Sequence, residues 1–304
     1  MPTEAGGAGR CRWTPQAAAL TAFAEFTGAT QSGGQIKPLH WYVACRLVVE
    51  GGFDPDDITP RPPFRIKRWG RERGTLSYDP DAAGGGELTV LGGLKTKDVD
   101  VVVTRRGIGP VLAVSCKGVT GAFRNLTNRM EETIGECTNL HITYPALVLG
   151  YMVLLRANAG IALAAERVLE GEAPTPPAAV SRGDVAVEPS GDPVLGIVRF
   201  HDALRELEGR RGIRNDVSRY EAIGLGLVSM AAGERGRLLD TFPEAESALR
   251  LERFFGTLYA QYDERYVTRA PDLATTTRRL VWDPDSPGLD LPGLDYNTRS
   301  AAED

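Results

Sequence analysis

The chain has 304 residues and a formal charge of -5, long enough for one large domain or two small ones with a core that needs no staples. That charge excludes a global basic field for a polyanion, but leaves room for a local basic groove. Four cysteines (Cys11, Cys45, Cys116 and Cys137) without a CxxC pair, and three histidines, argue against a zinc site or a disulfide framework and fit reduced thiols in the cytoplasm.

Residues 1–13 are expected to form a loose tail, and "MPTEAGGAGRCRW" has no apolar core of a secretory signal. A helix is predicted from Thr14 as N-cap, with Pro15 at the first helical position. A second helix covers "KPLHWYVACRLVVEGG", with Leu39, Val43 and Leu47 on one face and the glycine pair as its stop. The segment "RPPFRIKRWGRERG" then gathers Arg61, Arg65, Lys67, Arg68, Arg71 and Arg73 around Phe64 and Trp69. Arginines pair with phosphates and aromatic rings stack on bases, so this stretch reads as a nucleic-acid surface.

"ELTVLGG" is a predicted strand. Val99–Thr104 and Val111–Lys117 are two more, joined by the turn RRGIGP. Both are apolar enough to be central and covered on two faces. Their polar exceptions are Asp98, Asp100, Ser115 and Lys117. Alternation puts Asp98 and Asp100 on one face, and Ser115 and Lys117 on one face. If the strands are antiparallel neighbours, Asp100 approaches Lys117 or Ser115. "TGAFRNLTNRMEETIGEC" is a helix whose Phe123, Leu126, Met130, Ile134 and Cys137 define a buried face. Glu131 falls on the flank of that face with Arg124 and Asn128, and Glu132 points nearly opposite.

"HITYPALVLGYMVLL" reads as a buried strand, too short to span a bilayer. Residues 165–193 are Pro- and acid-rich and read as a loop excursion. "VRFHDALRELEGRRG" is a helix, "YEAIGLGLVSM" a strand, and 244–267 a long helix with Leu249, Leu251, Phe254, Phe255, Leu258 and Tyr262 available for core or a homodimer interface. Residues 283–304 read as a poorly ordered tail. The order of elements predicts an α/β fold: one domain over 14–282, built on a mixed β-sheet flanked by helices.

A carboxylate beside an ammonium at a sheet margin suits metal-assisted phosphodiester hydrolysis. Carboxylates hold a hard divalent cation, and a lysine offsets charge that develops in the transition state. At these residues, "DVDVVV" and "VLAVSCK", the chain resembles the PD-(D/E)xK phosphodiesterase superfamily, whose fold is restriction-endonuclease-like. The resemblance spans residues 36–156. It implies Asp100 as the first acid and Lys117 as the lysine, with Asp98 a weaker alternative to Asp100. Ser115 stands where the second acid belongs, a departure from the pattern. Members with Ser-x-Lys take the missing acid from the following helix, which implies Glu131 here. Glu50, at the end of the preceding helix, is the candidate for a further metal ligand.

The resemblance thus implies a Mg²⁺-dependent DNA endonuclease, with Mn²⁺ as a substitute, of bacterial restriction or phage-defence type. Its partner is double-stranded DNA, met by Arg65, Lys67, Arg68, Arg105, Arg106 and Arg124, with Arg129 adding charge. The alternatives are an inactive nuclease fold that binds DNA or assembles complexes, which Ser115 favours, and a nuclease acting on RNA or single strands.

Overall fold

The computed structural model describes residues 15–29, 33–70, 73–159 and 182–286, and leaves the side chain of Arg124 undescribed. The expected tail over 1–13 and most of the excursion at 165–193 lie outside these residues. Helix α1 is Gln16–Glu25 and α2 is Lys37–Val49. Pro15, extended at ψ 158°, caps α1 from outside, so the helix starts one residue later than its proline suggests.

A five-stranded sheet forms the middle layer, in the order β1 (Ile58–Thr59), β6 (Val101–Arg105), β7 (Gly109–Val119), β8 (Val148–Ala157), β9 (Ala222–Ser229). Strands β1, β6 and β7 are antiparallel neighbours, while β7, β8 and β9 run parallel. The first parallel crossover is made by α3 (Leu126–Thr143) and the second by α4 (Leu195–Leu207). The expected mixed α/β sheet flanked by helices is therefore the observed architecture. Its apolar strands have no polar face because both faces are covered. One face, with Val101, Val103, Val114, Cys116 and Met152, packs on α1, α2 and α5 (Leu251–Tyr262). The other, with Val102, Ala113, Leu149, Tyr151 and Val153, packs on α3 and α4.

Two glycines let α5 lie close on the sheet. A Cβ at Gly150 would stand 2.7 Å from the Phe254 ring, and one at Gly224 would stand 2.8 Å from Leu251. Helix α5 begins at Leu251, seven residues later than the pattern suggests, because 244–250 forms turns. Its apolar residues Leu251, Phe254, Phe255, Leu258 and Tyr262 are all core residues, so that face is spent inside the chain.

Several local expectations need correction. The basic segment, for which no strand was expected, is sheet: Phe64–Arg68 (β2) and Arg73–Tyr78 (β3) pair antiparallel, and Arg279–Trp282 (β10) joins β3 in parallel. Residues 283–286 are no tail at their start, since Ser286 is buried and its hydroxyl accepts the Tyr78 N–H at 2.8 Å. The end of the excursion also packs, with Ala186 and Val187 in the core. A small hairpin, β4 (Leu88–Leu91) with β5 (Thr96–Val99), precedes β6. Among the described residues, no helix is long and apolar enough to cross a membrane.

Candidate active site

The site lies where β5, paired only with β4, ends and β6 enters the five-stranded sheet. Asp100 is the residue between them, and the ladder of β6 on β7 begins one step later at Val101 opposite Val114. With the ladder open at that end, the Asp100 carboxylate supplies the missing acceptor. Its Oδ2 takes the Cys116 N–H at 2.6 Å and the Ser115 hydroxyl at 3.4 Å. Lys117 brings Nζ to 3.6 Å from the same oxygen. Asp100, Ser115 and Lys117 are thus brought together, as antiparallel pairing of the two motif strands requires. Asp100 is 6 % exposed.

The α3 carboxylate that comes within 4.0 Å of Lys117 is that of Glu136. Its Oε2 is 4.0 Å from Lys117 Nζ and 2.8 Å from Lys97 Nζ. Its Oε1 is buried without a hydrogen-bond partner. Glu131 is exposed and shares with Lys117 the lining of a cavity of about 480 Å³, to which Asp100 does not contribute. The reason is the register of the helix face. The sequence reading put Ile134 inside, but Ile134 is 37 % exposed and Thr133 is buried. With Leu126, Thr133, Cys137 and Leu140 inward, Glu136 lies about 70° from the centre of the buried face and Glu131 about 150°.

Glu50 is in a different place from the one expected. Both its oxygens are engaged, by the Arg46 guanidinium and by the Tyr259 hydroxyl. It sits ten residues beyond His40 along α2, about 15 Å by helical rise. The α2 residue that reaches Asp100 is His40, whose Nε2 is 3.5 Å from Oδ1. Asp98 is occupied separately, accepting the Thr89 hydroxyl at 2.6 Å.

Electrostatics fix the role of the lysine. Burial alone would lower its basicity, but the charges of Asp100 and then Glu136 outweigh burial and hold the ammonium well above its usual range. Lys117 is therefore a permanent cation near neutral pH and no proton acceptor. At His40 burial prevails, and the basicity is lowered despite the nearby Asp100 charge. The Cys116 thiol is pushed up by burial and then by Asp100. Tyr151, opposite Ser115 on β8, is pushed up to about 12, mainly by burial, and stays a phenol.

A cleft of about 1180 Å³ opens over these groups. Asp98, Asp100, Cys116 and Lys117 line it, and its other cations are Lys95, Lys97, Arg129 and Arg156. Of the described arginines and lysines expected at the nucleic acid, Arg129 is among them and Arg65, Lys67, Arg68, Arg105 and Arg106 are not. Arg65 pairs with Asp79, and Arg68 with Asp54 at 2.5 Å. Arg105 pairs with Asp57 at 2.5 Å. Arg105 and Arg106 flank the turn at the end of the hairpin away from Asp100 and Lys117. Lys67 is exposed on β2, and Phe64 is fully buried against Tyr78 and Trp282.

Sequence reasoning missed His40, Lys97 and Glu136. A signal existed for Lys97, since "KTKDVD" sets two lysines just before the acids. Against family models, curated proteins and solved structures, the chain matches none.

Proposed function

We propose that the chain is a magnesium-dependent DNA endonuclease of bacterial restriction or phage-defence type, a Ser-x-Lys variant of the PD-(D/E)xK scheme. The observation that carries this reading is the Lys117 ammonium within reach of the carboxylates of both Asp100 and Glu136, where it lines both the lysine-rich cleft at Asp100 and the smaller cavity at Glu136. We read its setting as cytoplasmic, in keeping with Cys45, Cys116 and Cys137 as free thiols.

The residues present fit a hard cation. Glu136 offers a buried carboxylate oxygen with no hydrogen-bond partner, and an orphaned oxygen of this kind is costly unless something binds it. Asp100 and Glu136 would hold the ion, with Glu131 on the rim of the adjoining cavity. When bound, Mg²⁺ or Mn²⁺ supplies polarisation of the scissile phosphate and a more acidic water. The chain's own groups do the rest. Cys116 N–H and Ser115 Oγ fix the Asp100 carboxylate. Lys117 Nζ keeps its protons, orients the attacking water by donating to it, and offsets the charge that grows on the phosphate. Lys95, Lys97 and Arg129 offer cations to flanking phosphates, which position the strand without reading its sequence.

Supercoiled plasmid, linear duplex, single-stranded DNA and RNA, each with Mg²⁺ or chelator, test the reading. Duplex cleavage is expected with Mg²⁺ alone. Glu136→Gln is expected to slow it by about 10²-fold or more, and Glu131→Gln by less than about tenfold. The reverse order would move the second acid back to Glu131, and cleavage of RNA alone would redirect the substrate. Ser115 favours a second reading, a non-catalytic DNA-binding module, because a hydroxyl brings no charge where an acid belongs. Tight DNA binding indifferent to chelator, with no products in any metal, would support that module.

A further inference from the structure

The Asp100 carboxylate faces two ways. Oδ2 serves Cys116 N–H, Ser115 and Lys117, whereas Oδ1 points toward α2 and the other face of the sheet. On that side stands His40, 5 % exposed, with Nε2 making no hydrogen bond. Cys116, 1 % exposed, completes the group. One donor atom from each of His40, Asp100 and Cys116 lies within 4.8 Å of the others. Three elements distant in sequence contribute them: α2, the break between β5 and β6, and β7. The sequence offered no ligand spacing, which is why it argued against a zinc-type site.

The donor chemistry differs from that of the acid pair at Lys117. An imidazole nitrogen, a thiolate sulfur and one carboxylate oxygen suit a borderline ion such as Zn²⁺ or Co²⁺, and magnesium avoids sulfur. A buried polar nitrogen without a hydrogen bond is costly to keep unless something occupies it. Access is present, because Cys116 and Asp100 both line the large cleft.

We propose that His40, Asp100 and Cys116 form a binding site for a zinc-class divalent ion, with three protein ligands and a fourth position toward the cleft. As the Sγ–metal bond forms, the thiol proton leaves to solvent, and no electron changes hands. Asp100 belongs to both donor sets, so occupation of this site competes with magnesium; that consequence rests on the nuclease reading. Zinc-class ions then act as inhibitors of a magnesium enzyme through a residue common to both.

Cobalt makes the site visible without any need for hydrolysis. Titrating Co²⁺ into the full chain is expected to give a thiolate-to-cobalt charge-transfer band and intense visible bands of a four-coordinate ion, bleached by Zn²⁺. The bands should persist when Cys11, Cys45 and Cys137 are all serine. They should vanish in Cys116→Ser, and cobalt affinity should fall by about tenfold or more in His40→Gln. Unfolding curves check both variants, and His40→Gln carries the test alone should Cys116→Ser not fold. A wild-type chain without a thiolate band, or a band that survives Cys116→Ser, overturns the site. In parallel, zinc inhibition is read as a ratio to each variant's own rate in Mg²⁺. Inhibition equal in wild type and His40→Gln overturns the competition. Absence of any hydrolysis overturns the nuclease reading and its inhibition, while the cobalt band decides the site by itself.

Discussion

Replacing Lys117 by alanine is expected to lower magnesium-dependent DNA cleavage by about 10²–10³-fold in single-turnover measurements. The size follows from where the charge sits. Nζ lies 3.6 Å from Asp100 and 4.0 Å from Glu136, so it is held against both acids that would flank the reacting phosphate. On the nuclease reading, its removal takes away the cation that would answer charge developing in the transition state. The fold should survive, because each acid keeps another partner. Asp100 retains the Cys116 N–H at 2.6 Å, and Glu136 retains Lys97 at 2.8 Å. Lys117→Arg keeps the charge but exchanges a compact ammonium for a planar fork, and should restore only part of the rate. Because the ammonium is held above its usual range, the pH–rate profile of the wild type should show no lysine ionisation near neutrality. A Lys117→Ala chain that cleaves at the wild-type rate would remove the lysine from the chemistry.

The largest effect on stability is expected at Glu221. It is fully buried just before β9 and gathers charges from three other parts of the chain. Arg210, also fully buried, donates to its Oε1 at 2.7 Å, and Arg265 donates to the same oxygen at 2.9 Å. Oε2 accepts the Leu149 N–H at 2.8 Å and lies 3.5 Å from His141 Nε2. The arginines continue to the backbone: Arg210 to Pro145 O at 3.0 Å, and Arg265 to Leu147 O at 2.8 Å. One carboxylate thus ties the end of α3, the start of β8 and the segment after α5. Glu221→Ala leaves two arginines without their counter-charge in the interior, which typically costs about 3–5 kcal/mol, to be read as a shift in urea denaturation.

The same residue sets an acid limit. Burial alone would raise its carboxyl, but the hydrogen bond and charge of His141 and then Arg265 outweigh burial and leave it below its ordinary 4.5. A depressed carboxyl stabilises the fold in full above the unfolded value and loses that contribution as pH falls through the folded value. Wild-type stability should therefore drop as pH goes below about 4.5, and Glu221→Ala should lose part of that slope. An unchanged slope would assign the acid limit to other carboxylates.

The layers of the fold were legible because strand burial writes itself into composition. Val101–Val103, Val111–Val114 and Val148–Leu155 are continuous apolar runs, and the structure covers them on both faces. The site was legible where it depends on neighbouring strands, as with Asp100, Ser115 and Lys117. It was not legible where it depends on the rotation of a helix. Choosing Ile134 over Thr133 as the inward residue turns the face enough to trade Glu136 for Glu131. Helix α2 gave no guide at all, since Leu39, His40, Tyr42, Val43, Ala44, Cys45, Leu47 and Val48 are buried around most of its circumference. The basic stretch misled for an electrostatic reason. Asp54, Asp57 and Asp79 lie near it in sequence or space and absorb Arg68, Arg105 and Arg65. Counting arginines along the chain finds the cations and misses the acids that neutralise them.

The most direct measurement is digestion of supercoiled plasmid by the full chain in Mg²⁺, beside Asp100→Asn, which keeps the size of the side chain and removes its charge. The nuclease reading predicts nicked and linear products from the wild type, none in chelator, and none from Asp100→Asn. Products of equal amount from both proteins, or from the wild type without metal, would contradict it.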